Sequence, residues 1–150
     1  MEIWRDRCVH EGTHAALAEL LNGLIMGIEI GDDGGSVSVV MPDKRSEALV
    51  ALGGVIADLA LRRLNPLNPA PMVGHQDLIA AQVYEPNREK LIMLQAEALI
   101  LLWNNKPTWD KWIHRMRDLY ADGTARPGMV HIGGPQPEPA ADPSPGGSVH

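Results

Sequence analysis

Apolar residues recur along most of this chain with the three- and four-residue spacing that is typical of helices. Five segments carry this spacing or start with a helix-initiating residue, and we predict helices over Trp4–Leu21, Arg45–Leu64, Gln76–Val83, Asn87–Trp103 and Pro107–Asp122. The first helix is expected to stop at Asn22-Gly23, and Asn87 is expected to cap the fourth. Most of the chain is therefore expected to be helical.

A different pattern lies between the first two predicted helices. Ser36–Val40 alternates small polar and β-branched residues, which is typical of a strand. The preceding Leu24–Ile30 ends in a short apolar run, and Asp32–Gly35 is a turn sequence. Together these segments predict a β-hairpin, so the expected fold class is α+β, mainly α.

The second predicted helix is apolar on nearly every side from Leu49 to Leu61 and should therefore be buried. It contains Gly53-Gly54, although a glycine inside a helix costs about 1 kcal/mol relative to alanine. The pair indicates that another part of the backbone approaches closely here. Ordinary packing of one helix on another is the simpler explanation.

Proline and glycine divide the chain into a folded part and a tail. Half of the 12 prolines lie from Pro127 onward, where large apolar residues are almost absent. We predict one folded domain over residues 1–124 and a disordered, Pro/Gly-rich tail over residues 125–150. The prolines of Asn65–Pro71 predict a stiff loop between the second and third helices.

Charge and cysteine content narrow the class of protein. The net charge is -6, and no basic cluster exceeds Arg62-Arg63, so a nucleic-acid partner is not expected. The single cysteine, Cys8, excludes an intramolecular disulfide and suits a reducing compartment. No apolar run reaches the ~20 residues of a membrane span, and the first residues are too charged for a signal peptide. We expect a cytoplasmic protein without a membrane partner.

The segment His10-Glu11-Gly12-Thr13-His14 fits the pattern H-E-x-x-H inside the first predicted helix. Residues four apart lie on one helix face with Cβ atoms about 5–6 Å apart, so two imidazoles can bind one zinc ion. Glu11 lies about 100° around the helix from His10, where its carboxylate can reach a water on the metal. The motif predicts Zn²⁺ as cofactor, His10 and His14 as ligands, and Glu11 as general base.

A catalytic zinc also requires a third protein ligand and an open position. The extended motif that supplies a third histidine from the same helix is absent. Spacing alone leaves four candidates, which are Glu29, Glu47, His75 and Asp77. The last two follow the proline-rich loop, at the start of a predicted helix.

Three blocks of this sequence, in order, resemble the FtsH-type zinc metallopeptidase domain. In that family the blocks are H-E-x-G-H-A, L-G-G-R-x-A-E and a segment with the core N-D-L. The matching segments are His10-Glu11-Gly12-Thr13-His14-Ala15, Leu52-Gly53-Gly54-Val55-Ile56-Ala57-Asp58 and Gly74-His75-Gln76-Asp77-Leu78. The resemblance covers about Cys8 to Trp103, and the ordered set is more specific than the first block alone.

The resemblance implies a helical, zincin-like peptidase domain in which Asp77 is the third zinc ligand, with His75 as the alternative. The chain also departs from the family, because Thr13 replaces a glycine, Val55 an arginine and Asp58 a glutamate. Each departure puts the detail of the family site in question at that position.

Asp58 lies in an otherwise apolar helix and therefore needs a polar partner. We hypothesise that it accepts a hydrogen bond from the free ring N–H of His10 or His14, as carboxylates around metal sites do. An ion pair with Arg62 or a hydrogen bond between helices is the alternative.

The implied reaction is hydrolysis of a peptide bond by zinc-activated water, with Glu11 passing the proton to the leaving amine. FtsH proteases also carry a membrane anchor and an AAA+ ATPase, but this sequence has no G-x-x-x-x-G-K-[ST] motif. We therefore expect ATP-independent cleavage of peptides and of unfolded or flexible protein segments. The sequence specifies neither an oligomer nor a partner ATPase.

An extended substrate could pair with an edge strand formed by Ser36, Val37, Ser38, Val39 and Val40. The alternative role of this strand is to cover one end of the core.

Two other functions compete with the peptidase interpretation. One is a non-catalytic zinc- or peptide-binding regulatory module on the same scaffold, which would have no use for Glu11. The other is a repressor-cleaving metallopeptidase of the ImmA/IrrE type, whose third ligand is a glutamate nearer the motif. The Gly53-Gly54 and Asp77 blocks fit that type less well.

Overall fold

A computed structural model describes residues 2–31, 34–62, 76–121 and 148–149. Within these ranges the chain forms α1 (Glu2–Leu20), β1 (Leu24–Gly31), β2 (Gly34–Val40), α2 (Lys44–Arg62), α3 (Gln76–Tyr84), α4 (Arg88–Asn104), α5 (Lys106–Ala121) and β3 (Ser148–Val149). The prediction of a mainly helical α+β protein with one small hairpin is confirmed. The predicted loop at 65–71, His75 and all but two residues of the 125–150 tail lie outside the described residues.

Local sequence sets the ends of three helices, and two of these ends, at Asn22-Gly23 and at Asn87, are the ones predicted. Asn22 adopts a left-handed φ of 62°, and Gly23 N–H donates to the Ala18 carbonyl at 2.7 Å, which closes a Schellman motif after α1. The Asn87 side chain accepts from Lys90 N–H at 3.0 Å and caps α4. Asp43 caps α2 in the same way, through Ser46 N–H at 2.7 Å.

Helix α1 lies at the centre of the fold, packed against α2, α5 and both long strands. Every residue from Glu11 to Ala18 is buried, including the polar side chains of Glu11, Thr13 and His14. Helix α2 is buried over Ala48–Ala57, as its apolar sequence predicts. The H-E-x-x-H motif is therefore in the core, and its polar groups need partners there.

Strands β1 and β2 form an antiparallel hairpin with Leu24 opposite Val40 and Gly31 opposite Gly34. The other side of β2 pairs with β3, with Val37 opposite Val149 and Ser38 opposite Ser148, so the strand order is β1-β2-β3. The prediction of a free edge on Ser36–Val40 needs correction here. Over Val37–Ser38 the edge is covered, because a segment distant in sequence supplies the missing hydrogen-bond partners.

Across the described ranges, no helix combines the length and the apolar character that crossing a membrane requires.

Candidate metal centre

The two histidines of the motif meet on one face of α1, as their spacing predicts. Their ring centroids are 4.9 Å apart, and the Nε2 atoms lie 3.3 Å from each other. Glu11 offers a carboxylate oxygen, and its ligand atom and those of His10 and His14 all lie within 4.8 Å of one another. This group could hold a metal ion.

Asp77 joins the histidines from the first turn of α3, which packs against α2. Its Oδ2 atom lies 3.2 Å from the Nε2 atom of His10 and 3.2 Å from that of His14. The three atoms thus form a nearly equilateral triangle, and the Asp77 side chain is only 3% exposed. A residue 63 positions after His14 therefore completes a buried three-donor cluster.

The structure places none of the other described candidates for a third ligand at the two histidines. Glu29 is exposed on β1, and Glu47 lies in the first turn of α2, where it forms an ion pair with Lys44 at 3.4 Å. His75 lies outside the described residues. Asp77 is thus the candidate that the described part of the chain brings to the two Nε2 atoms.

Each imidazole is oriented by a hydrogen bond at its far nitrogen. His14 Nδ1 lies 2.7 Å from the Val50 carbonyl oxygen, which can only accept, so this nitrogen carries the proton. His10 Nδ1 lies 3.2 Å from Oδ1 of Asp58. The Asp58 carboxylate likewise accepts a hydrogen bond from the ring N–H of His10, so in the neutral tautomers that these two acceptors favour, both Nε2 lone pairs face Asp77.

Two bare nitrogens and a carboxylate oxygen at these separations repel one another unless a positive charge lies between them. Burial acts to raise the pKa of Asp77, but when protons on His10 and His14 supply this positive charge, their hydrogen bonds and charge hold that pKa well below its usual range. The carboxylate is therefore ionised at neutral pH. The cluster is built to share a cation, either protons on the imidazoles or a metal ion.

Glu11 lies beside this cluster in a different environment. It is 1% exposed, and burial raises its pKa from 4.5 to about 7, against the opposing charges of His14 and His10. Among the described residues its Oε1 atom has no hydrogen-bond partner. A carboxylate that titrates near neutrality and has a free acceptor atom is suited to taking and returning a proton.

The glycine pair of α2 makes room for the cluster. A Cβ atom built on Gly54 would collide with Asp77 Oδ2 and would lie 2.7 Å from Cε1 of His10. A Cβ atom on Gly53 would lie 2.8 Å from Leu17 Cδ1. The close approach predicted from the sequence is therefore made by side chains of α1 and α3, not by another backbone as we expected.

Glycine also brings β2 against the general-base candidate. A Cβ atom on Gly35 would lie 2.6 Å from Oε2 of Glu11, so only a residue without a side chain fits there. The sequence showed Gly35 as part of a turn, and its contact with Glu11 was not foreseen. The start of β2 thus runs directly past the Glu11 carboxylate.

Thr13, which replaces the family glycine, is fully buried and has two hydrogen bonds. Its hydroxyl donates to the Val9 carbonyl at 2.6 Å and accepts from Nε1 of Trp109 at 2.9 Å. The bond ties α5 to the motif helix, and sequence reasoning missed it. A polar residue between two histidines in a buried helix is the signal that could have indicated such a partner.

Three other residues of α1 and α2 that the sequence singles out are Cys8, Val55 and Asp58. Cys8 is fully buried, and burial raises the pKa of its thiol to about 11, so the thiol is protonated at neutral pH. Asp58 contacts His10 as described, whereas the side chain of Arg62 lies outside the described residues. Val55, at the family's arginine position, is buried in the core.

Comparisons with known proteins add no family. No protein-family model matches the chain, and neither the curated proteins nor the solved structures include a significant match. The resemblance to FtsH-type peptidases therefore rests on the three sequence blocks, and function has to be inferred from the chemistry of the cluster.

Proposed function

We propose that this protein is a zinc-dependent peptidase that hydrolyses peptide bonds of peptides and of unfolded or flexible protein segments. The observation that carries the proposal is the convergence of His10, His14 and Asp77 beside a buried Glu11. The three zinc-ligand roles and the general-base role would fall on these four residues.

The donor set fits zinc in both chemistry and dimensions. Zinc binds histidine nitrogen and carboxylate oxygen at about 2.0–2.2 Å, and tetrahedral ligands at those lengths are about 3.3–3.6 Å apart. The observed separations are 3.2, 3.2 and 3.3 Å. Three protein ligands correspond to a catalytic site, in which a fourth position remains for water.

When bound, zinc would lower the pKa of a water molecule to about 7 and polarise the carbonyl of the substrate. Glu11 would take the proton from the attacking water and transfer it to the nitrogen of the leaving amine. Its burial and its unpartnered Oε1 support this role, because the proton has a nearby acceptor that is shielded from bulk water.

The partners of the two imidazoles support a positioned site. The Val50 carbonyl and the Asp58 carboxylate would hold the rings of His14 and His10 with Nε2 directed at the metal. The aspartate side chain is one methylene shorter than the glutamate of the family, but its Oδ1 atom still lies 3.2 Å from Nδ1 of His10.

The substrate would lie along β2. Gly35 places the start of this strand against Glu11, and the strand continues from there to Val40. An extended peptide that took the place of β3 on the side of β2 opposite β1 would therefore pass the general base.

The test combines metal analysis with a digestion assay. Purified protein should contain about one zinc per chain and should cleave a reduced, carboxymethylated protein. Glu11→Gln should retain zinc and lose cleavage, because the amide cannot accept the proton. Glu19→Gln is the matched control, since it makes the same change on the same helix at a side chain that is 42% exposed.

Three outcomes would contradict the proposal. Equal cleavage by Glu11→Gln and the wild type would remove the general-base role. Absence of zinc from protein purified without chelators would contradict the metal site. Zinc bound without cleavage in the wild type would favour the non-catalytic binding module.

A further inference from the structure

The short strand β3 lies on the side of β2 that the proposed function assigns to substrate. Ser148 and Val149 pair antiparallel with Ser38 and Val37, although more than 100 residues separate them in sequence. The 26 residues 122–147 connect this segment to the last residue of α5. The chain thus supplies its own extended peptide to the edge of its hairpin.

A strand in a sheet has two hydrogen-bonding sides, and each accepts one neighbour. Strand β1 occupies one side of β2 over its whole length, from Gly34 to Val40. The remaining side can therefore hold either β3 or a substrate strand at Val37–Ser38, but not both.

The direction of β3 strengthens this interpretation. Because the pairing is antiparallel, rising residue numbers in β3 correspond to falling numbers in β2. The segment thus runs from Ser38 towards Gly35, and Gly35 lies against Glu11. It follows the same edge, towards the same carboxylate, as a substrate strand would in the proposed function.

We propose that the segment Ser148–Val149 is an intramolecular competitor that occupies the peptide-binding edge of β2 and must leave before a substrate strand can bind. The inference rests on the proposed function in one respect, which is that substrate pairs with β2. It adds a regulatory property, since anything that removes or captures this segment would raise the affinity for substrate.

The size of the effect follows from the tether. Because β3 belongs to the same chain as β2, it competes with substrate intramolecularly, at an effective concentration on the order of mM. Only two residues of β3 pair with β2, and such a short pairing is weak. The form in which β3 is paired should therefore predominate only modestly over the form in which it is released. We therefore expect release of the segment to strengthen substrate binding by about threefold or more.

The test uses the full chain with the double substitution Ser148→Pro/Val149→Pro. Proline has no backbone N–H to donate to a neighbouring strand, so whichever of the two residues faces β2 loses its hydrogen bond and the variant cannot maintain β3. The matched control, Ala140→Pro/Ala141→Pro, adds the same two prolines outside the paired residues.

The first measurement is amide hydrogen exchange in Val37–Ser38, which needs neither metal nor cleavage. The amide that faces β3 should exchange at least several-fold faster in the Ser148→Pro/Val149→Pro variant than in the control. Equal exchange in the two variants would show that β3 does not cover this edge, and the proposal would be overturned.

The second measurement is binding of a fluorescein-labelled, reduced and carboxymethylated protein, with Glu11→Gln present in every variant to prevent cleavage. The Ser148→Pro/Val149→Pro variant should bind about threefold more tightly than the control. Faster exchange with unchanged binding would show that the covered edge is not the substrate edge, and would also overturn the proposal. If binding shifts as expected but the wild type cleaves nothing, the competitor remains and the peptidase function fails.

Discussion

Replacing Gly54 with alanine would test whether α2 makes room for a metal centre. The new Cβ atom would lie 2.7 and 2.9 Å from Cε1 and Nε2 of His10 and would collide with Oδ2 of Asp77. Two of the three proposed ligand atoms would therefore have to move. The adjacent Gly53→Ala is the matched control, because its nearest contact is Cδ1 of Leu17 at 2.8 Å, the end of a rotatable side chain.

The magnitudes follow from competing effects. Alanine is favoured over glycine in a helix by about 1 kcal/mol, and overpacking a rigid core costs about 1–3 kcal/mol. Gly54→Ala should thus change the free energy of unfolding of the metal-free protein by between about 0 and -2 kcal/mol. Gly53→Ala should cost less in overpacking and should therefore retain more of the roughly 1 kcal/mol by which alanine stabilises a helix relative to glycine. For zinc affinity, disturbing groups that only orient ligands costs about 10–100-fold, so Gly54→Ala should cost at least about 100-fold.

Zinc affinity is measured by competition with a chromophoric chelator, and stability by urea unfolding in the presence of EDTA. We expect a large loss of affinity in Gly54→Ala and a small one in Gly53→Ala. Equal losses in the two variants, or unchanged affinity in Gly54→Ala, would refute the assignment of His10 and Asp77 as ligands that Gly54 accommodates.

Three further predictions follow from the buried polar groups. Thr13→Val leaves the indole N–H of Trp109 without its acceptor and should lower the free energy of unfolding by about 1–3 kcal/mol in urea titrations, whereas Thr13→Ser should retain most of it. Asp58→Asn should lower zinc affinity by about 10–100-fold in the chelator competition, and unchanged affinity would remove its positioning role. Burial raises the pKa of Glu11 from 4.5 to about 7, so the unfolded chain loses this proton first and wild-type stability falls as pH rises through this window. In metal-free protein, Glu11→Gln should therefore gain about 2–3 kcal/mol over the wild type between pH 5 and pH 8, and a constant difference would contradict the burial effect.

The chain by itself determined the elements and three of the four residues of the candidate site. Helices, their caps and the hairpin follow from local periodicity and from residues such as Asn22, Asn87 and the alternating Ser36–Val40. His10 and His14 converge because a helix places residues four apart on one face. These features depend on neighbours in sequence, and the sequence shows them directly.

The third member of the cluster required the tertiary structure. Spacing left four candidates for a third ligand, and only the packing of α2 against α1 and α3 brings Asp77 to 3.2 Å from both Nε2 atoms. The resemblance to a family pointed to this residue, but local pattern could not, because 63 residues separate it from His14.

Tertiary structure also decided what surrounds the motif. The Val50 and Asp58 partners of the imidazoles, the contact of Gly35 with Glu11 and the pairing of β3 with β2 all join distant parts of the chain. Side-chain type and local spacing do not indicate how close such segments lie in space, because their approach depends on how whole helices and strands pack. For this protein, sequence therefore determined which groups could do chemistry, and the fold decided which of them meet.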